Sequence, residues 1–188
     1  MKEKATRAYN IEPCVIVHGG AGTIPASREE GKIKGVKRAA RVGYRTLIET
    51  ESAIQAVERA VNVMERDEYF NAGYGSVLTS EGNVEMDASI MCGRTLNFGC
   101  VSLVTDILHP ISLARLVMQK SKYKFLSEEG AKRFARQNGV RILHPPGQLV
   151  TDFTSNFMQN FVNEQHLRTD KKEKLFEAVS LTFKNYFQ

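Results

Sequence analysis

The fold is decided by residues 69–91, which read YFNAGYGSVLTSEGNVEMDASIM. Apolar and polar residues alternate over 84–90 with a period of two, which predicts a half-buried β-strand. Before the strand, Asn71 lies between an aromatic pair and two glycines, Gly73 and Gly75. Asparagine and glycine suit tight turns, whereas an amide donor aimed at a reacting oxygen is the functional alternative. The stretch therefore predicts a loop and a strand, with Asn71 as a candidate site residue.

The segments on either side of this stretch predict further helices and strands. Residues 14–18, CVIVH, form a β-branched run that ends in glycines, which predicts a buried strand. Apolar residues recur every three or four positions over 32–49, which predicts an amphipathic helix. Ser52 and Gln55 have the spacing of a capping box at the start of a second helix. The sequence also predicts a strand over 99–104, a helix over 111–120 that Pro110 opens, and a helix that begins at Ser127.

Length and composition indicate a single globular domain. The chain has 188 residues, of which 42% are hydrophobic and 25% charged, and these proportions are ordinary for a globular protein. Residues 13–146 predict a compact α/β body. Residues 147–188 are more polar and contain a charged run, so we expect a linker or loosely attached helices there, with an amphipathic helix over 174–187 as one alternative.

Charge and hydropathy argue against several classes of partner. The net charge is +5, and part of the excess lies over 28–45, where Tyr44 is the only aromatic residue. Nucleic-acid-binding surfaces interleave cations with aromatic and amide side chains, so we expect a solvated helix face and no nucleic-acid partner; a basic interaction module is a further alternative. Without a membrane-length apolar run or a signal-peptide pattern, we expect no membrane partner and a cytoplasmic location.

Residues 18–22, HGGAG, form a glycine loop directly after the first predicted strand. Glycines there allow positive φ angles and can present N–H groups to an anion, although a plain turn explains them as well. The loop is not a P-loop, because no Lys-Ser/Thr pair follows, and Pro25 excludes a dinucleotide fingerprint. Glu85 and Asp87 share one strand face, where a pair of reactive carboxylates and a solvated sheet face are the two interpretations.

The order of these motifs resembles the plant-type L-asparaginase/isoaspartyl peptidase family, whose members are threonine N-terminal-nucleophile hydrolases. The resemblance covers about residues 14–150 and rests on HGGAG, two helices, FNAGYGS, VEMDASIM and HPISLARLVM, in that order. It implies an α/β fold that forms the N-terminal half of an αββα sandwich. It also implies a precursor that cleaves itself and exposes a threonine, which attacks the side-chain amide of asparagine or the isopeptide bond of a β-aspartyl dipeptide.

The resemblance also assigns roles to two loops of this chain. Gly19, Gly20 and Gly22 would lie near the self-cleavage point and influence processing. Asn71 would lie close to the nucleophile and help to hold the oxyanion or its water. The loop over 64–74 resembles the family's sodium-binding loop, in which main-chain carbonyls chelate a structural sodium ion. The matching positions in this chain are Met64, Glu65, Asp67, Phe70, Ala72 and Tyr74.

The family's cleavage motif, G-T-V-G-A-V, does not occur in the sequence. The resemblance places the nucleophile and most of the oxyanion hole in a second, β-half, so no nucleophile is assigned here. We therefore expect an α-half that is inactive alone and needs a β-half or a full-length relative as its partner. The alternative is a catalytically dead relative that acts as a partner or decoy for full-length members, and the two alternatives stay open at this point.

Overall fold

The computed structural model describes residues 12–163 and has an α/β fold, which confirms the predicted α/β class, while the N-terminal half of an αββα sandwich stays a prediction. Two helices come first, a small sheet with a third helix follows, and two more helices end the described part. The predicted helix over 174–187 lies outside the described residues. The elements are α1 (Ala26–Thr50), α2 (Ala53–Glu65), β1 (Met86–Met91), β2 (Phe98–Val104), α3 (Pro110–Lys120), β3 (Phe125–Ser127), α4 (Glu128–Gln137) and α5 (152–163).

The start of α2 agrees with the sequence prediction, whereas the start of α1 does not. The Ser52 hydroxyl accepts a hydrogen bond from the backbone N–H of Gln55 at 3.3 Å, so the predicted cap of α2 is confirmed. Helix α1 begins at Ala26, before the predicted start, and follows Pro25, whose φ of −58° already suits helix entry. Periodicity misses the first turns of α1 because residues 26–31 are mostly polar.

Helices α1 and α2 pack through small residues. Gly35, Ala39 and Gly43 are buried on α1, and Ala56 and Ala60 are buried on α2. A Cβ at Gly43 would lie 3.1 Å from the Cβ of Ala60, which shows how closely the helices approach. This close packing places the C-terminal end of α2, and the loop that follows it, beside the N-terminal half of α1.

The sheet has the order β1-β2-β3, with β2 antiparallel to β1 and parallel to β3. One face is buried in the main core against α3 and α4, mainly through Ile90, Val101 and Val104. Gly99 allows α3 to lie directly on β2, because a Cβ at this position would be 2.3 Å from the carbonyl oxygen of Ala114. The core of the described chain therefore lies between the sheet and the later helices.

The opposite face of the sheet is exposed in the described residues. Asp87, Ser89 and Met91 alternate on β1 with buried or half-buried neighbours, which confirms the period of two predicted over 84–90. Phe125 of β3 is 58% exposed. Apolar side chains on an open sheet face are unusual in a finished domain, because sheets normally bury one face against another layer.

The predicted buried strand over 14–18 is wrong in the structure. These residues belong to no strand ladder, and Ile16 is 91% exposed. Val15 approaches α1 closely, with its Cγ1 3.1 Å from the position of a Cβ at Gly43. A strand requires a neighbouring backbone to pair its N–H and C=O groups, and the described residues provide none beside this segment. The β-branched composition specifies extended backbone, but it does not specify a partner.

The chain after Pro146 continues in contact with the body. Leu149 is buried in the main core, and Thr151 and Thr154 are buried at the start of α5. The two threonines cap the helix reciprocally, because the Thr154 N–H donates to Thr151 Oγ1 at 3.1 Å and the Thr151 N–H donates to Thr154 Oγ1 at 3.2 Å. The division into a body over 13–146 and a tail over 147–188 stays a prediction.

Among the helices of residues 12–163, none combines the length and the apolarity that crossing a membrane requires. The cytoplasmic location stays a prediction.

Candidate functional site

A cavity of about 790 Å³ lies between the glycine loop, the loop that contains Asn71 and helix α5. It brings together the glycine-loop positions and Asn71, which are far apart in sequence. Helix α5 contributes three phenylalanines that the sequence analysis did not single out; their spacing of four residues was the available signal. Its lining includes Gly19, Gly20, Gly22, Asn71, Phe153, Phe157 and Phe161.

Two positions of the glycine loop require glycine for different reasons. A Cβ at Gly19 would lie 2.6 Å from Val36 Cγ1, so the backbone passes too close to α1 for a side chain. Gly20 has a φ of +103°, and its N–H donates to Nδ1 of His18 at 3.1 Å. Gly22 has neither constraint, since a Cβ there would meet nothing within 4 Å of the described chain. The loop therefore packs against α1 and the aromatic ring of Phe70 at its beginning and opens toward the cavity at its end.

Asn71 holds its own loop closed. Its side-chain Oδ1 accepts a hydrogen bond from the backbone N–H of Val77 at 2.9 Å. Gly73 and Gly75, with φ angles of +58° and +118°, turn the chain between these two residues. Because the oxygen of the amide is engaged, the amide N–H₂ group is the part of Asn71 that remains to donate, and it has no acceptor among the residues that the structure describes.

The proposed sodium loop uses part of its main chain for internal hydrogen bonds. The carbonyls of Met64, Glu65 and Asp67 accept from backbone N–H groups at 3.0, 2.8 and 3.1 Å. Each carbonyl retains a second lone pair, and the carbonyls of Phe70, Ala72 and Tyr74 take part in no such bond in the described residues. Hard oxygen ligands of this kind fit a sodium ion. No group of three or more His, Cys, Asp or Glu side chains in the described part could hold a metal, so main-chain oxygens would have to bind such an ion.

The side chain of Glu65 anchors this loop to α3. It is 3% exposed, and its Oε1 accepts from the Ile111 N–H at 2.9 Å at the start of the helix. Its Oε2 is bonded to Nδ1 of His109 at 2.8 Å, and Nε2 of His109 accepts from Nε of Arg66 at 2.9 Å. This chain of bonds requires the neutral imidazole with its proton on Nδ1. The resemblance assigned only the Glu65 carbonyl a role; the structure shows that its carboxylate caps a helix.

Arg28 connects three parts of the site. Its guanidinium carbon lies 4.7 Å from the ring centroid of Tyr69 and 3.7 Å from that of Phe153. It also donates to the carbonyl of Glu68. A planar guanidinium between two aromatic rings is a favourable cation–π arrangement. Arg28 therefore joins α1, the loop that contains Asn71 and the beginning of α5.

The carboxylates singled out on the strand lie outside this cavity. Asp87 Oδ1 accepts from the hydroxyl of Ser102 at 2.5 Å and from the Leu103 N–H at 3.0 Å. The Ser102 bond, followed by the Leu103 bond, lowers the pKa of Asp87 below its usual value. No bond or ion pair links it to Glu85 in the described residues. Asp87 thus has a cross-strand role, and neither carboxylate lines the cavity.

The cavity can hold a group that carries hydrogen-bond acceptors. Because Nδ1 of His18 accepts from Gly20, a neutral His18 carries its proton on Nε2, where it can donate. Asn71 contributes its amide N–H₂ group and Lys32 its ammonium. The described residues form no bond between Thr23, the cavity threonine nearest the glycine loop, and a base. The arrangement is therefore suited to binding and to stabilising negative charge.

Comparison with known proteins agrees with the resemblance. A family model described as asparaginase matches residues 11–184. The chain is 53% identical over 141 residues to the isoaspartyl peptidase/L-asparaginase of Danio rerio, covering 75% of this chain and 45% of the relative. For the relative of the same name in Homo sapiens, the identity is 48% over 165 residues, covering 87% of this chain and 50% of the relative.

A third relative of the same name, from Macaca fascicularis, is 47% identical over 178 residues, covering 93% of this chain and 58% of the relative. The chain thus spans about half the length of the curated relatives it matches. The family match extends over most of the sequence and includes both loops of the cavity. The chain belongs to the asparaginase family, in which its similar relatives are isoaspartyl peptidase/L-asparaginases.

Proposed function

We propose that the chain is the N-terminal (α) portion of an isoaspartyl peptidase/L-asparaginase and contributes one wall of its active site. The nucleophilic threonine, freed by autocatalytic cleavage, comes from a β-half, so the chain alone hydrolyses neither L-asparagine nor β-aspartyl peptides. The observation that carries this proposal is the meeting of the glycine loop and Asn71 at one cavity. The family match over residues 11–184 also supports it.

In this mechanism, the chain's own residues position and stabilise rather than attack. The Val77 N–H holds the oxygen of the Asn71 amide, so the amide N–H₂ group is oriented to donate to the oxyanion or to the attacking water. The three glycines of the loop carry no side chains at the cavity, which leaves room for a threonine of the β-half. A threonine hydroxyl attacks as nucleophile, with its own terminal amine as the base.

The exposed sheet supports the same proposal. We infer that the strands of the β-half complete an αββα sandwich by covering the open face that carries Met91 and Phe125. The segment over 14–18 belongs to no strand ladder in the described residues and carries β-branched residues, so it is suited to become a strand when a partner backbone arrives.

Complementation tests this function directly. The full chain is refolded with the C-terminal half of the human relative, beginning at its nucleophilic threonine, and ammonia release from asparagine and aspartate release from a β-aspartyl dipeptide are measured. We expect no turnover by either half alone and turnover by the mixture. Turnover by the chain alone, at a fixed stoichiometry, would contradict the proposal.

The alternative function is that of a non-enzymatic partner or decoy for full-length relatives, which the open sheet face also supports. This function predicts that the chain binds the full-length human relative and reduces its activity, while no complementing half restores turnover. Size-exclusion chromatography of the mixture, with a parallel activity assay, separates the two proposals.

We also propose that main-chain carbonyls of the loop over 64–74 bind a structural sodium ion. A bound cation stabilises the native state by mass action, so sodium chloride should raise the melting temperature above that in choline chloride of equal concentration. Equal melting temperatures in the two salts would contradict sodium binding. The same comparison with potassium chloride tests whether the site discriminates by ion size.

A further inference from the structure

We propose that the cavity binds a small organic anion with a flat apolar body and one carboxylate, and that this chain does so without a second half. The proposal differs from the proposed hydrolytic function, because binding requires no nucleophile. It rests on the walls of the cavity, on its charge and on the groups that remain free to donate.

The apolar wall comes mainly from α5. Phe153, Phe157 and Phe161 recur every four residues, so they lie on one side of the helix, and all three line the cavity. The rings of Phe153 and Phe157 stack with centroids 6.4 Å apart. Phe157 is nevertheless 59% exposed, so its ring retains surface that a ligand can cover. With Tyr69 also in its lining and a volume of about 790 Å³, the space fits the size and apolar character of a small-molecule site.

The charge of the cavity is positive. Lys32 is half-buried, its Nζ lies 5.9 Å from the ring centroid of Phe70, and no carboxylate forms an ion pair with it in residues 12–163. The acidic residue that lines the cavity, Glu68, already has Arg28 within 4.0 Å. A half-buried ammonium without a counter-ion favours an anionic occupant, because the occupant then supplies the missing charge.

The other polar side chains of the cavity, Asn71 and His18, also favour a ligand that carries hydrogen-bond acceptors. The Asn71 amide oxygen accepts from the Val77 N–H, and Nδ1 of His18 accepts from the Gly20 N–H. Both side chains therefore present N–H donors, as Lys32 does. Donors in an apolar cavity require acceptors from the ligand. A carboxylate offers two negatively charged acceptor oxygens, and therefore meets this requirement better than an alcohol or an amine. The combination of donors and aromatic walls identifies an aromatic monocarboxylate as the ligand class.

The experiment uses the full chain and isothermal titration calorimetry with three probes: naphthylacetate, naphthylacetamide and acetate. We expect naphthylacetate to bind at least about tenfold more tightly than the neutral amide of the same shape, because only the acid pairs with Lys32. Acetate, which lacks the apolar body, should bind too weakly to measure. Equal affinity for the acid and the amide would overturn the proposal, since it would indicate non-specific apolar binding.

Variants locate the binding at this cavity. Lys32→Gln keeps a long polar side chain but removes the charge, and should weaken naphthylacetate binding by about tenfold. Lys34→Gln is the control, because Lys34 is an exposed residue of the same helix that pairs with Glu30 at 2.6 Å. Unchanged affinity in Lys32→Gln, or an equal loss in both variants, would exclude Lys32 as the anion-binding group.

The contribution of the apolar wall is tested with a second variant and its control. Phe157→Ala should weaken naphthylacetate binding by about tenfold through lost contact area. Tyr123→Ala should leave the affinity unchanged, because Tyr123 is similarly exposed, at 57%, but does not line the cavity. Circular dichroism of each variant separates loss of binding from loss of folding. Unchanged affinity in folded Phe157→Ala would overturn the assignment of α5 as the wall.

Discussion

Single residues determine whether the loops of the cavity can form. Gly73 has a φ of +58°, and a Cβ there would lie 2.2 Å from the carbonyl oxygen of Glu65. Gly22 lies in the other loop, where a Cβ would meet nothing within 4 Å of the described chain. Sequence treats these glycines alike, whereas the structure separates a glycine that the backbone requires from one that it tolerates.

We expect Gly73→Ala to destabilise the protein by about 2 kcal/mol or more, through the positive φ and the overlap with backbone. Gly22→Ala should change the free energy of unfolding by less than about 0.5 kcal/mol, as at an ordinary surface position. Urea unfolding of both variants measures this difference. Similar effects of the two substitutions would show that the turn around Gly73 is not the one described.

Asn71 combines a structural and a proposed chemical role, and two substitutions separate them. Asn71→Asp keeps the acceptor for the Val77 N–H, so we expect nearly unchanged stability but no activity in the complemented enzyme, because the N–H₂ donor is gone. Asn71→Ala removes both the acceptor and the donor. We expect it to abolish activity and to lower the free energy of unfolding by about 1 kcal/mol through the broken hydrogen bond. Urea unfolding and ammonia release measure the two effects. Full activity in Asn71→Asp would exclude the donor role.

At the scale of elements, local signals predict helices better than they predict strands. The cap at Ser52 and the proline at the start of α3 are local, and both helices occur where they were expected. The strand β3 covers only Phe125–Ser127 and pairs in parallel with β2, so no hairpin turn or long alternation indicates it in the sequence. Segment 14–18 has strand composition and no described partner, because pairing depends on what lies beside it.

Helix α5 is attached to the body through Arg28, and this attachment can be tested. Arg28→Gln removes the cation between Tyr69 and Phe153, so we expect faster amide hydrogen exchange over 152–163. The control is Arg45→Gln. Arg45 is an exposed residue of α1, the helix that also carries Arg28, and its substitution should leave hydrogen exchange in α5 unchanged. Mass-spectrometric hydrogen exchange makes the comparison. Unchanged exchange in Arg28→Gln would show that other contacts hold α5.

The stability that the Asp87–Ser102 hydrogen bond between β1 and β2 contributes should depend on pH. The folded-state pKa of Asp87 is depressed, chiefly by the Ser102 hydroxyl, from its usual 3.8. A depressed carboxyl pKa contributes stability that is present above the unfolded-state pKa and is lost as the pH falls through the folded-state pKa. Ser102→Ala should therefore reduce stability at about pH 6 more than at about pH 2.5, as urea unfolding at both values can measure. An equal loss at both values would indicate that the Asp87–Ser102 bond does not contribute.

At the scale of the whole described structure, residues 12–163, the main feature is a sheet with one exposed face. The described sheet ends in β1 and β3, and β3 carries the exposed Phe125. Exposed edge strands with apolar residues promote pairing between chains, and a charge on the edge prevents it. The opposite face packs against α3 and α4, where Ile90, Val101 and Val104 are buried and Ala88 and Leu126 are half-buried.

We expect the isolated chain to self-associate as its concentration rises, and Phe125→Lys to reduce this association by placing a charge on the edge strand. Tyr123→Lys is the control, because Tyr123 is similarly exposed but lies outside the strand. Sedimentation velocity over a range of concentrations provides the measurement. Association that persists in Phe125→Lys, or disappears equally in both variants, would place the contact elsewhere.

The sequence by itself determined the α/β class, the cap of α2, the apolar periods of the main helices, the alternation of β1 and the family, because these depend on local spacing and on motif order. Tertiary structure decided the rest. The cavity, the stack of Arg28 between Tyr69 and Phe153, and the helix cap by the Glu65 carboxylate all join residues that are distant in the chain. Such contacts depend on how helices and sheet pack, and no local pattern encodes which segment a strand or a charged side chain will meet.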